Sequence, residues 1–144
     1  MSRFLDTNVL LYSISTDAAE AHKREVAVAC LDEADNALSV QVLQEFYVQS
    51  TRASRPDALP HDLAVGLIET WLRFPVRTAD LTLLREALAL TERYRFSYWD
   101  AAIVAAARLS GCNELWSEDL QSGMAIGDLT IVNPFLRTER PPAG

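Results

Sequence analysis

The chain predicts an α/β fold with a central parallel sheet, and three observations carry that expectation. Short apolar segments alternate with longer segments of helical periodicity, the pattern of successive βαβ units. Carboxylates stand where the apolar segments end, at Asp6 and Asp119, or on helices that begin there, at Glu45 and Asp100. The 144 residues, 49% of them hydrophobic, suit one domain with a core of ordinary size.

Arg3 to Leu5 is a very short apolar strand running into Asp6 and then into an apolar helix, Val9 to Ile14. Asp6 and Thr7 are both good helix N-caps. A long helix, Ala18 to Ala34, leads to a second strand, Ala37 to Ser39, and Ser39 caps a third helix, Val40 to Arg52. Pro56 and Pro60 bracket a loop before the fourth helix, Asp62 to Arg73. A strand at Val76 to Arg77 and a helix at Leu81 to Arg93 follow. The last helix, Trp99 to Leu109, begins at a capping-box pattern, Ser97-Tyr98-Trp99-Asp100, and closes at Ser110-Gly111. Strands at Glu114 to Trp116 and Thr130 to Val132 complete the sheet. Residues 1–136 form the expected domain, and residues 137–144, ending Pro141-Pro142-Ala143-Gly144, read as a frayed, flexible tail.

Composition narrows the function. Asp6 interrupts the first apolar run, so no signal peptide is expected. No apolar stretch approaches the length of a membrane span, and a cytoplasmic location is the expectation. Cys30 and Cys112 lie far apart without His or Cys at ligand spacing, and His22 and His61 are the only imidazoles. A zinc site or a Cys/His nucleophilic pair needs more than that, so both cysteines read as reduced, buried thiols.

A net charge of -7 and a pI near 4.7 argue against a nucleic-acid partner unless some of the acids hold cations that reverse the local sign. The basic residues are twelve Arg and a single Lys, Lys23. Arg52 and Arg55, beyond the third helix, and Arg93 and Arg95, before Asp100, are candidate phosphate contacts; Arg at solvated helix ends is an equally good account.

Each acid has an ordinary local explanation, and only the set is informative. Asp6 and Asp100 fit helix caps, and Asp119 in Ser117-Glu118-Asp119 fits a polar turn. Glu45 lies inside a helix, where no free N-H needs a cap, and shares a face with Val42, Phe46 and Gln49. In a parallel sheet the strands' carboxyl ends meet at one edge, so four such acids can converge.

In this order the residues resemble the PIN-domain ribonucleases, above all the toxins of bacterial VapBC-type toxin–antitoxin pairs. The likeness is carried by Leu5-Asp6-Thr7-Asn8, by Glu45 in the helix after the second strand, and by Tyr98-Trp99-Asp100-Ala101 opening an Ala-rich helix. Leu115-Trp116-Ser117-Glu118-Asp119-Leu120 and Ile131-Val132-Asn133-Pro134-Phe135 extend it to Phe135.

The resemblance implies a three-layer, PIN-like α/β fold with a short-stranded central parallel sheet flanked by helices. It implies Asp6, Glu45, Asp100 and Asp119 as the acidic catalytic set, with Asp6, Asp100 and Asp119 as ligands of Mg²⁺ or Mn²⁺. Asn8 and Ser117 fall where supporting polar groups are expected, and Arg52 and Arg55 remain candidate substrate contacts. The implied activity is endoribonuclease cleavage of RNA by water, leaving a 5′-phosphate and a 3′-hydroxyl. A small antitoxin is the implied partner, expected to insert a basic side chain into the acidic site. A homodimer is also expected, with Leu63, Leu67, Trp71 and Leu72 of the fourth helix at its interface or in the core. Oxygen ligands suit Mg²⁺ on chemical grounds alone. Glu118 and Asp119 are adjacent, and the sequence does not decide which points inward.

Other classes fit less well. An aspartyl-phosphate phosphotransferase puts an Asp after its first strand but wants a second Asp two residues on, where Asn8 stands, and a late Lys. A receiver domain wants the same Lys and a nucleophilic Asp on a middle strand. A non-catalytic partner-binding module of the same fold would have no need of all four acids.

Overall fold

The computed structural model describes residues 2–136, and the expected tail at 137–144 lies outside the described residues. The chain runs β1 (Arg3–Leu5), α1 (Thr7–Ser13), a 3₁₀ turn (Ala18–Glu20), α2 (Ala21–Leu31), β2 (Asn36–Ser39), α3 (Val40–Ser50) and α4 (His61–Trp71). It continues through β3 (Val76–Arg77), α5 (Leu81–Tyr94), α6 (Tyr98–Leu109), β4 (Glu114–Trp116), β5 (Ala125–Ile126) and β6 (Leu129–Val132). The sheet has six strands in the order β3-β2-β1-β4-β6-β5, parallel throughout except where β5 meets β6.

This is the expected α/β architecture, and the strand order explains where chemistry can happen. The chain fills the sheet outward from β1 to β2 and β3, then returns to place β4 on the other side of β1. The β1–β4 seam is therefore the topological switch point, where connections leave in opposite directions and a crevice opens beyond the carboxyl ends. Leu5 pairs with Trp116 across that seam, so Asp6 and Ser117 leave the sheet side by side. The Asp6 N-H donates to the Trp116 carbonyl at 3.0 Å and the Ser117 N-H to that of Val132 at 3.0 Å. Those two bonds fix the backbone at the rim.

The core reflects a sheet covered on both faces. Phe4, Leu5, Leu38, Leu115 and Ile131 are fully buried, and α6 buries every residue from Ala101 to Ala107. Small alanines let α6 lie close to its neighbours, and packing of this kind stabilises by roughly 25 cal/mol per Å² of apolar surface removed from water. Phe46 of α3 meets Trp71 of α4 edge-on at 4.7 Å.

Two details depart from the sequence expectation, and a third decides between alternatives it left open. The helix expected over Ala18 to Ala34 is broken into a 3₁₀ turn and α2, because Asp17 caps the turn through the Ala19 N-H at 2.9 Å, and α2 stops at Leu31. β5 was not expected: Ala125 and Ile126 pair with β6 through the two-residue loop Gly127-Asp128, with Gly127 at φ 61°. Trp71, expected at a dimer interface or in the core, is only 4% exposed and lies in the core, while Leu63 and Leu72 of the fourth-helix region face solvent. Among the described residues no helix is long and apolar enough to cross a membrane. Cys30 and Cys112 are free and buried, and burial pushes both thiols up in pKa, Cys30 to about 11.

Candidate active site

Asp6 is held by its surroundings before any ligand arrives. It caps α1 with one carboxylate oxygen, accepting from the Thr7 N-H at 2.7 Å, and accepts from Ser117 Oγ with the other at 2.7 Å. Its pKa is raised from 3.8 to about 6, chiefly by burial and further by the charges of Asp119 and Glu45, against the opposing effect of its two hydrogen bonds. A positive charge nearby would favour the ionised form of such a buried carboxylate.

A cavity of about 100 Å³ opens beside it, and Asp6, Glu45, Asp100 and Asp119 all line it, with Thr7, Asn8, Gln49 and Trp99 among the rest. Four separate segments deliver the acids. Glu45 comes from α3, with Thr7 Oγ1 donating to it at 2.8 Å and Gln41 Nε2 at 2.9 Å. Asp100 comes from the first turn of α6, whose N-cap Ser97 accepts from the Asp100 N-H at 3.2 Å. Asp119 follows β4 and accepts from Asn8 Nδ2 at 3.1 Å. Asp6 and Asp100 thus occupy capping regions as well as the cavity wall; the local and the collective readings are both satisfied.

Asn8 and Ser117 tie the rim together. Asn8 Oδ1 accepts from the Glu118 N-H at 3.3 Å, and Ser117 Oγ, which donates to Asp6, accepts from the Asp119 N-H at 3.1 Å. Glu118 turns away from the cavity: Tyr12 donates to it at 2.5 Å and Lys23 at 2.6 Å. Burial acts to raise the Glu118 pKa, but the hydrogen bonds from Lys23 and Tyr12 outweigh it and hold the group below its ordinary value.

The four acids share the cavity wall without three of them meeting as a tight cluster: among the described residues no three His, Cys, Asp or Glu side chains do. Their oxygens are turned to neighbours: Asp6 to Thr7 and Ser117, Asp119 to Asn8. Arg52 and Arg55 do not line the cavity; Arg52 is exposed, and Arg55 pairs with Asp57 at 2.8 Å. Arg93 and Arg95 are likewise absent from its wall, Arg93 lying over the Tyr94 ring at 5.3 Å and Arg95 ending α5 at φ 59°.

The donor set still fits a hard divalent cation. It is all oxygen, and Mg²⁺ keeps several waters while taking only one or two carboxylates directly, so a three-ligand cage is not required. Asp6, raised to about 6 by burial, would lose most of that penalty beside a cation.

Sequence reasoning missed Gln41 and Trp99. Gln41 was detectable as the residue four before Glu45 on the same helix face. Trp99 precedes Asp100, and nothing in the sequence distinguished an indole on the cavity wall from one in the core.

A model of the PIN domain matches residues 3–122. The chain belongs to the PIN-domain family. In fold it is similar to a toxin–antitoxin complex from Klebsiella pneumoniae, at 21% identity and TM-score 0.69, covering 92% of this chain and 98% of that one. It is similar to a sarcin–ricin-loop-cleaving toxin from Mycobacterium tuberculosis, at 19% identity and TM-score 0.63, covering 82% and 92%. A VapBC pair from Rickettsia felis, solved on a DNA fragment from its promoter, is similar at 15% identity and TM-score 0.61, covering 91% and 97%. No curated protein sequence matches the chain.

Proposed function

We propose that this chain is a metal-dependent endoribonuclease of the PIN family and the toxin of a type II toxin–antitoxin pair acting in the cytoplasm. One observation carries the reading: four carboxylates from four separate segments line one cavity at the switch point of the sheet. Membership of the family and the toxins among the similar folds support it.

In this reading Asp6, Asp100 and Asp119 hold Mg²⁺ or Mn²⁺, directly or through water. The cation, when bound, supplies Lewis-acid activation of water and neutralises charge developing on the phosphoryl oxygens. Glu45, held by Thr7 and Gln41, would accept a proton from the attacking water. Ser117 and Asn8 hold Asp6 and Asp119 in place, as polar groups behind metal-site carboxylates do. The acidic cavity also suits a basic side chain, so the antitoxin inserts an Arg or Lys toward Asp6 and Asp100. A homodimer closes through the solvent-facing Leu63 and Leu72.

The test is cleavage of RNA by the purified chain with Mg²⁺ or Mn²⁺ and with chelator. Metal-dependent cutting that leaves 5′-phosphate ends and disappears in Asp100→Asn is expected. Incorporation of a phosphoryl group from a small-molecule donor, with no cutting, would instead favour a phosphotransferase. Antitoxin inhibition should weaken as salt rises; inhibition unaffected by removing the partner's basic residues would sink the insertion.

A further inference from the structure

The cavity wall has an unusual composition for a site that handles a polyanion. Among its lining residues there is no Lys, Arg or His. Attraction for phosphate at the wall therefore rests on the cation the acids would hold, and a contact that needs no positive charge can add to it.

Trp99 offers one. It lines the cavity, immediately precedes Asp100, and is 66% exposed. Among the described residues it is the one exposed Phe, Tyr or Trp. Its placement is not loose: Tyr98 packs edge-on against the ring at 5.1 Å and 79°, and the Trp99 carbonyl accepts from Gln41 Nε2 at 3.3 Å. Gln41 also holds Glu45 at 2.9 Å, so one side chain ties the backbone under the indole to an acid of the site. A broad π-face kept in water beside a chemical centre is costly to leave bare, and a nucleobase covers it without any need for positive charge.

We propose that the Trp99 indole is the stacking platform for one unpaired base of the RNA next to the scissile phosphate. The site then takes single-stranded or looped RNA and not a duplex, whose bases are already stacked on one another and whose grooves present edges and hydroxyls, not faces. This inference rests on the nuclease reading above.

The test uses a short mixed-sequence single-stranded oligoribonucleotide and the same strand annealed to its complement. With Mg²⁺ or Mn²⁺, the native chain should cut the single strand in preference to the duplex. Trp99→Ala should lower kcat/KM by roughly five-fold or more, the effect of losing one base–aromatic stack. Trp99→Phe should retain most of the activity, while Trp99→Leu, apolar but without a π-face, should resemble Trp99→Ala. Because the ring is exposed, these variants should melt like the native chain, which a purely structural role would not allow to coincide with lost binding. In a Glu45→Gln chain that binds without cutting, the single strand should quench tryptophan fluorescence, and Trp99→Phe should remove the quench. Metal-dependent cutting by the native chain that is unchanged in Trp99→Ala and Trp99→Leu, or equal cutting of the duplex, overturns the stacking platform and leaves the nuclease standing. No cutting and no binding of either RNA overturns both.

Discussion

Ser117 Oγ donates a 2.7 Å hydrogen bond to Asp6 across 111 positions of sequence, and both residues are buried. The β1–β4 register makes the pair possible, since Leu5 opposite Trp116 leaves the next residue of each strand adjacent at the rim. The same hydroxyl accepts from the Asp119 N-H at 3.1 Å, so one oxygen spans the acid at the end of β1 and the loop that carries another.

Ser117→Ala removes a donor and leaves a buried carboxylate oxygen unpaired. That costs about 1–3 kcal/mol of stability, because the desolvated acceptor gains nothing in return. The Asp6 pKa should climb above its native value of about 6, since this hydrogen bond lowers it. Denaturant unfolding and carboxyl NMR titration read the two effects. A variant as stable as the native chain, with Asp6 titrating unchanged, would mean that the bond carries no weight.

Asp6 also sets a pH dependence. Its folded pKa of about 6 lies above the ordinary 3.8, so between those values the folded chain binds more protons than the unfolded chain. Stability contributed by this group is present below about pH 4, declines as pH rises toward 6 and is gone above it. The size is on the order of 3 kcal/mol at most, from about two pKa units at 1.36 kcal/mol each. Unfolding free energies measured across that window in chelator should lose this slope in Asp6→Asn. An unaltered slope would place the titration on another group.

A divalent cation should reverse the penalty. Millimolar Mg²⁺ or Mn²⁺ is expected to raise the melting temperature, by an amount equivalent to about 2.7 kcal/mol if the ion stands at a hundred times its Kd. The gain should shrink in Asp6→Asn and Asp100→Asn. A melting temperature indifferent to both ions in the native chain, yet lowered by Asp6→Asn, would speak for a structural Asp6 with no shared cation.

What the sequence disclosed depends on how local the cause was. β1 and its Asp6 were legible because an apolar run, a carboxylate and a helix follow one another within ten residues. Glu45 was legible by elimination, since a mid-helix acid has no cap to serve. Lys23 was noticed as the single lysine, but its contact with Glu118 joins residues 95 apart and has no sequence signature. β5 has only two residues, too few for alternation to register, and only the Gly127-Asp128 pair marked its hairpin. The arginines near helix ends fit phosphate contacts and solvated helix ends equally well, because sequence gives their charge but not their direction. Arg55 turns to Asp57 instead.

The adjacent acids Glu118 and Asp119 should separate cleanly by mutation. Alternation in an extended segment turns Ser117 and Asp119 the same way and Glu118 the other, and the side chains follow it: Asp119 lines the cavity while Glu118 meets Lys23 and Tyr12. Glu118 therefore has a paired role between α1, α2 and the loop after β4. Asp119→Asn should cut RNA cleavage by roughly ten-fold or more, the effect of losing a metal ligand or a group that orients one. Asp6→Asn and Asp100→Asn should do at least as much. Glu118→Gln should leave the rate per folded molecule nearly unchanged and cost stability instead. Its pair with Lys23 is partly solvent-exposed, at 27% and 35%, so that cost should be at most about 1 kcal/mol. Lys23→Met should resemble Glu118→Gln in melting temperature, and the double variant should cost little more than either single one, because both break the same contact. Activity measured on matched amounts of folded protein decides the matter: a larger loss in Glu118→Gln than in Asp119→Asn would assign the fourth acid of the site to Glu118.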